Sequence, residues 1–79
     1  MKLTIISLKK VEYDGEAVSV NLKTTSGEIT VLDNHQPLIT QLAKGQAVVI
    51  KENSEKINFD IGSGFLEVGE GNRATILAR

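Results

Sequence analysis

Short runs of alternating apolar and polar residues, each closed by a turn signal, fill this chain from end to end. Val18, Val20 and Leu22 alternate with Ser19, Asn21 and Lys23. Ile29 and Val31 repeat the pattern, and Ile57, Phe59 and Ile61 alternate with Asn58 and Asp60. Successive side chains of a strand point to opposite faces, so a period of two means a ribbon with one buried and one wet side. Leu3 and Ile5 share one side of an N-terminal strand, with Ile6 and Leu8 on the other; Val48 and Ile50 alternate with Val49 and Lys51. Two further runs are Phe65–Val68 and Ala74–Ala78. Between them stand Asp14-Gly15, Ser26-Gly27, Asp33-Asn34, Lys44-Gly45, Glu52-Asn53-Ser54, Gly62-Ser63-Gly64 and Gly69-Glu70-Gly71-Asn72. Glycine and asparagine supply the positive φ of tight hairpins. Many short strands at such spacing predict an all-β sandwich or barrel with no long helix.

Leu38, Ile39 and Leu42 alone hint at helical spacing, but the run from Pro37 to Lys44 spans only two turns. A short strand is the expectation there. Pro37 lacks an N–H, so that strand begins at the proline or lies at an edge. Leu3, Ile5, Val18, Val20, Ile57, Phe59 and Ile61 are the expected core. Phe65 is expected to pack the sheets together, and its truncation to cost about 3–5 kcal/mol if fully buried.

Size and charge narrow the function. Seventy-nine residues make one small domain, residues 1–79, with a modest core. There is no cysteine, hence neither disulfides nor thiolate metal sites. Nine Lys and Arg face ten Asp and Glu, scattered along the chain, which argues against a nucleic-acid footprint. Aromatics at 4% argue against base stacking. No apolar run approaches the roughly 18 residues needed to span a bilayer. The segment Met1–Leu8 reads as a strand rather than a signal peptide, so a cytoplasmic protein is expected, with a peripheral role on a membrane complex left open.

The residues carry little that looks catalytic. His35 and Asp33 supply two metal ligands at most, whereas structural zinc takes four. A Ser–His–Asp set can be drawn with Ser63 or Ser26, but nothing in the sequence brings them together. Gly62, Gly64, Gly69 and Gly71 are followed by neither a Lys-Ser/Thr pair nor a helix, so they are not a phosphate loop. No catalytic residue, cofactor or metal ligand is assigned. By chemistry alone this is a binding or structural module.

One stretch is more specific. Gly27-Glu28-Ile29-Thr30-Val31-Leu32-Asp33-Asn34-His35-Gln36-Pro37-Leu38 resembles a signature of the N-terminal β-sandwich domain of the F-type ATP synthase epsilon subunit, roughly Gly-Glu-Leu/Ile-x-Ile-Leu-Pro-x-His-x-Pro-Leu. Val11-Glu12-Tyr13-Asp14-Gly15-Glu16 is similar to the family's Val-x-Tyr-x-Gly-x, and Val18–Leu22 to its next strand. Leu42 and Gly45 match Leu-x-x-Gly. Gly62–Val68 resembles Ser-Gly-Gly-Phe-Leu-Glu-Val, and Thr75–Ala78 the closing Thr-Val-Leu-Ala. Each motif is weak alone; six in the right order, covering nearly all the chain, are specific. Leu8 and Lys23 stand where prolines are common, and Asp33 replaces the proline before the loop.

The resemblance implies a ten-stranded β-sandwich or flattened barrel. It implies a non-catalytic rotor subunit at the foot of the central stalk, peripheral to the membrane, on the cytoplasmic side. Its partners would be the gamma subunit and the ring of c subunits of a proton- or sodium-translocating enzyme, and it would couple ion flow to ATP synthesis. Glu28 is expected beside the polar loop, meeting basic groups of the c ring, with Asn34 and His35 projecting from the same end to hydrogen-bond to ring or gamma. Leu38, Ile39, Thr40 and Leu42 are the expected gamma-facing strip. Family members usually continue into a C-terminal helical hairpin; this chain stops at Arg79, so inhibition and nucleotide binding by that hairpin are not carried over. The rival readings are a lipoyl-like carrier or ligand-binding module and a small cupin-like or triad enzyme. The first wants a modified lysine in an Asp-Lys-Ala or Met-Lys-Met setting, which neither Lys51 nor Lys56 has; the second wants more histidines.

Overall fold

The computed structural model describes every residue from Met1 to Arg79 and contains nine strands and no helix. They are β1 (Lys2–Ile6), β2 (Val11–Glu16), β3 (Ser19–Thr24), β4 (Gly27–Leu32), β5 (Leu38–Leu42), β6 (Gly45–Ile50), β7 (Lys56–Ile61), β8 (Gly64–Gly69) and β9 (Arg73–Ala78). The all-β expectation holds, with nine strands instead of ten. Each alternating run makes one strand. Between Leu32 and Leu38 the chain cannot pair, because Asn34 takes φ 62° and Pro37 has no N–H to donate.

The strands form one curled sheet in the order β2-β1-β9-β8-β5-β3-β6-β7, with β4 beside β3. β1 and β9 run parallel, and all other pairs are antiparallel. The curl brings β7 round towards β2, the other end of the path. There Tyr13 and Phe59 meet edge to face, with ring centroids 6.0 Å apart.

Parity decides what is inside. Leu3 and Ile5 on β1, Leu66 and Val68 on β8, and Ala74 and Ile76 on β9 point inward from three neighbouring strands. Val20, Leu22, Leu42 and Val49 complete the centre of one continuous core. No buried side-chain polar atom lacks a hydrogen-bond partner.

Four residues expected inside need correction. Val18 is 43% exposed, because β3 begins at Ser19 and Ala17 takes the inward place in the link before it. Ile57 and Phe59 are half-buried, as β7 is an end strand with only Ile61 fully inside. Phe65 is 53% exposed, because Leu66 and Val68 occupy the inward parity of β8.

Gly64 opens β8 at φ 146°, where a Cβ would come within 1.9 Å of the Leu77 carbonyl oxygen. Only glycine lets β8 lie that close to β9. Thr24 closes the β3–β4 hairpin: its hydroxyl donates to the Gly27 carbonyl at 2.6 Å and accepts from the Ser26 N–H at 3.1 Å.

Candidate functional site

The registers sort the loops into two ends. Thr24 pairs with Leu42, Leu42 with Gly64, and Gly64 with Ala78, so the β3–β4, β5–β6 and β7–β8 turns share one end with residues 7–10. The 33–37 loop, the β6–β7 turn and the β8–β9 turn lie at the other, where the Asn34 N–H donates to Asn72 Oδ1 at 2.7 Å. Ser26 and Ser63 are therefore at the opposite end from His35 and Asp33, and no serine–histidine–aspartate set assembles.

This arrangement also splits the proposed ring contact. Glu28 is the second residue of β4, and Asn34 and His35 follow that strand's last residue. Five residues of strand separate Glu28 from Asp33 by about 16 Å. The expectation that all three project from one end is wrong. The physical reason is that Gly27–Leu32 pairs along its full length with Thr24–Ser19 and so stays extended.

The two places differ in chemistry. Glu28 is exposed on the outer face of β4, across from Lys23, whose Nζ lies 3.4 Å from its carboxylate. The Asn21 side chain first, and then the Lys23 ammonium, hold the Glu28 carboxyl below its usual pKa. It is thus charged at neutral pH. In the far loop a histidine and an aspartate make hydrogen bonds of their own. His35 donates its backbone N–H to the Leu32 carbonyl, and its Nδ1 sits 2.8 Å from the Gln36 carbonyl oxygen. Asp33 binds the amino group of Met1 and accepts from Asn72; the bond to that amino group chiefly holds its carboxyl below the usual range.

The expected gamma-facing strip is divided by parity as well. Leu38, Thr40 and Leu42 share the inward side of β5. Leu42 is 1% exposed and fully in the core, and Leu38 packs against that core, so neither belongs to an open strip. Thr40 is half-buried on the same side. Only Ile39, 73% exposed, faces outward with Gln41.

Ile39 has company that the sequence reading missed. On the outer side of four neighbouring strands, Ile6 pairs with Leu77, Leu77 with Phe65 and Phe65 with Gln41. The next row is Thr4, Thr75, Glu67 and Ile39. Ile6, Leu8, Phe65 and Leu77 line an apolar hollow with Ser7, Gly64 and Arg79, and Leu8 above it is 82% exposed. The available signal was the parity of Gly62–Val68 and Thr75–Ala78. Once Leu66 and Ile76 are inside, Phe65 and Leu77 must be outside.

Residues 1–79 match the family described as the ATP synthase delta/epsilon chain beta-sandwich domain. The chain belongs to this family. Relatives of the delta/epsilon sandwich include the ATP synthase epsilon chain of Brevibacillus brevis, 32% identical over 78 residues, which cover 99% of this chain and 58% of that protein. The epsilon chain of Corynebacterium jeikeium is 40% identical over 75 residues, 94% of this chain and 60% of that one. The chain thus spans a little over half the length of these relatives. Among solved structures, a chain of the Euglena gracilis mitochondrial ATP synthase, in an assembly of OSCP, F1 and c-ring, superposes with a TM-score of 0.93 at 26% identity. That match covers 99% of this chain and 49% of the other. A chain of the Tetrahymena thermophila mitochondrial ATP synthase central stalk and c-ring shares the fold, with a TM-score of 0.84 at 16% identity and 62% of that chain covered.

Proposed function

We propose that this delta/epsilon sandwich is a non-catalytic part of the rotating central stalk of an F-type ATP synthase. It joins the gamma subunit to the ring of c subunits on the cytoplasmic side of the membrane. The observation that carries this reading is the match of nearly the whole chain to the Euglena subunit. Its spread of titratable groups over two separate ends supports a mechanical role: the exposed ion pairs Lys2–Asp14, Lys23–Glu28 and Lys51–Glu55 are distributed over the surface rather than gathered in a pocket.

Glu28 is the residue assigned to the ring. It is exposed and ionised, and Lys23 is a partner that a stronger basic group can replace. Asn34 and His35 drop out of that contact, since β4 separates them from Glu28 along its full length. Of the gamma-facing strip, Ile39 remains.

The test is co-elution of the chain with purified gamma subunit and c ring at moderate salt. A stable ternary complex is expected, weakened by Glu28→Lys with the fold intact. Absence of association at micromolar concentration, with the chain demonstrably folded, overturns the assignment.

A further inference from the structure

We propose that Lys23 is a built-in competitor for the Glu28 carboxylate, a light brake that a basic group of the c ring must displace as it docks. This rests on the reading of Glu28 as the ring contact and adds what regulates that contact.

Register and packing carry the proposal. Lys23 stands directly opposite Glu28, next to the pair that closes the β3–β4 turn. Directly opposed residues of antiparallel strands are the ones whose side chains meet, and here the Lys23 Nζ lies 3.4 Å from the Glu28 carboxylate. An exposed ion pair ordinarily pays side-chain entropy to hold a long lysine in one geometry. Lys23 is more confined than that. Its stem crosses Gly45, the first residue of β6, so closely that a Cβ there would come 2.7 Å from Lys23 Cγ and 3.3 Å from Lys23 Cβ. The Lys23 carbonyl accepts the Ala43 N–H at 3.0 Å, which fixes its backbone against the chain leading into β6. Gly45 has no positive φ, so what this glycine supplies is space and not backbone freedom. That space is the trough in which the lysine stem lies, with its ammonium aimed at Glu28.

Nothing else near Glu28 plays this part. Asn21, further along β3, is a neutral donor that also gives its amide to Thr30 Oγ1 at 2.9 Å, so it orients the carboxylate without cancelling charge. Lys23 is the one cation in an ion pair with Glu28. It also stands where proline is common in the family, and proline has no charge with which to hold a carboxylate. The brake thus belongs to this chain's own sequence. Both side chains are about half exposed, at 48% and 55%, so the brake weakens docking without preventing it. The Lys23 ammonium also repels an approaching basic group, an effect on association rate that fades as salt screens it.

The measurement is the Kd of the chain, bound to gamma, for purified c ring at low and at high salt. Lys23→Met keeps the stem over Gly45 and removes the charge. It should tighten binding about two- to fivefold at low salt, with the gain lost at high salt. Lys23→Arg restores a cation and should restore the wild-type affinity. Gly45→Ala drives the stem from its trough and should reproduce part of the gain. In a Glu28→Gln background, Lys23→Met should leave the affinity where it was. Asn21 and then Lys23 hold the Glu28 carboxyl low, so Lys23→Met should also raise its pKa, read from the side-chain carboxyl carbon by NMR. A folded Lys23→Met chain that binds the ring no more tightly than wild type overturns the brake. So does an equal gain in the Glu28→Gln background, which would mark a general charge effect. Either result leaves Glu28 as the ring contact. A Glu28→Gln chain that binds the ring like wild type, or a folded wild-type chain that binds no ring, overturns that reading and the brake with it.

Discussion

Phe65 and Leu66 are adjacent in β8, both large and apolar, and the structure assigns them opposite fates. Leu66 is completely buried and Phe65 about half exposed. Full burial of such a side chain contributes about 1.5–3 kcal/mol, so the buried half of Phe65 contributes roughly 1 kcal/mol. Its surroundings are open, and truncation leaves no enclosed cavity. Lower β-propensity of alanine adds up to about 1 kcal/mol. Phe65→Ala is thus expected to cost about 1–2 kcal/mol. Leu66→Ala loses transfer energy and leaves a void among Ile5, Ile76 and their neighbours, for a total of about 3–5 kcal/mol. The two variants share strand and backbone context, so the gap of about 2 kcal/mol depends little on propensity. For a chain of this size that gap separates the melting temperatures by roughly 8–16 °C. Thermal unfolding of both variants, followed by far-ultraviolet circular dichroism at equal concentration, measures it. Equal losses from the two variants would refute the parity of β8 and, with it, the outward row of Ile6, Leu77 and Phe65.

Three other outcomes follow from the same geometry. Ile39→Asp should leave the chain folded, whereas Leu42→Asp puts an unpaired carboxylate in the core and should abolish the cooperative transition; similar melting curves would contradict the assignment of their faces. Gly64→Ala should cost about 3 kcal/mol or more, since both φ and the Leu77 carbonyl oppose a Cβ, while Gly27→Ala, with open space around it, should cost only about 1–2 kcal/mol. The Glu28 carboxyl has a lowered pKa in the folded chain, so its stabilising contribution is present above the unfolded value and is lost as pH falls through the folded one. Glu28→Gln should therefore make stability fall less steeply below about pH 4, measured by urea unfolding at a series of pH values; an unchanged slope would show that Asn21 and Lys23 do not hold that carboxylate.

The fold was legible because period-two alternation and turn residues are local properties. Val20, Leu22 and Val31 declare their inward side within a few residues, and the structure buries all three. Asn34, at φ 62°, and Pro37 likewise marked the break between β4 and β5. What was not legible depended on absolute phase and on distance along a strand. Val18 continues the alternation of β3 but falls in the preceding link, where Ala17 is the residue turned inward. Leu38, Ile39, Thr40 and Leu42 are neighbours in sequence, and a strand sends Ile39 one way and the others the opposite way. Glu28 and His35 belong to one recognisable motif, which encourages reading them as one site; an extended β4 places them at opposite ends. Ile6, Phe65 and Leu77 are far apart in the sequence and become a row only through the parallel pairing of β1 with β9 and the hairpin of β8 with β9.

Under the proposed central-stalk role, the domain must resist shear and hold two partners on surfaces that do not compete. The sheet supplies the first condition. β1, the earliest strand, is paired in parallel with β9, the latest, so the hydrogen-bonded path runs through both ends of the chain, with β2 outside β1 and β8 beyond β9. Local opening at either terminus is then coupled to the core through Leu3, Ile5 and Ile76, all without exposure. The second condition bears on parity: the residues that fill the core leave Ile39 outward on β5, while Glu28 stands outward on β4, which pairs with β3. Under the central-stalk reading, Glu28→Lys should impair ring binding with gamma binding intact, and Ile39→Asp should do the reverse. A variant of either kind that removed both contacts while remaining folded would show that the two surfaces are one, and that the domain does not bridge its partners in the way its strand order allows.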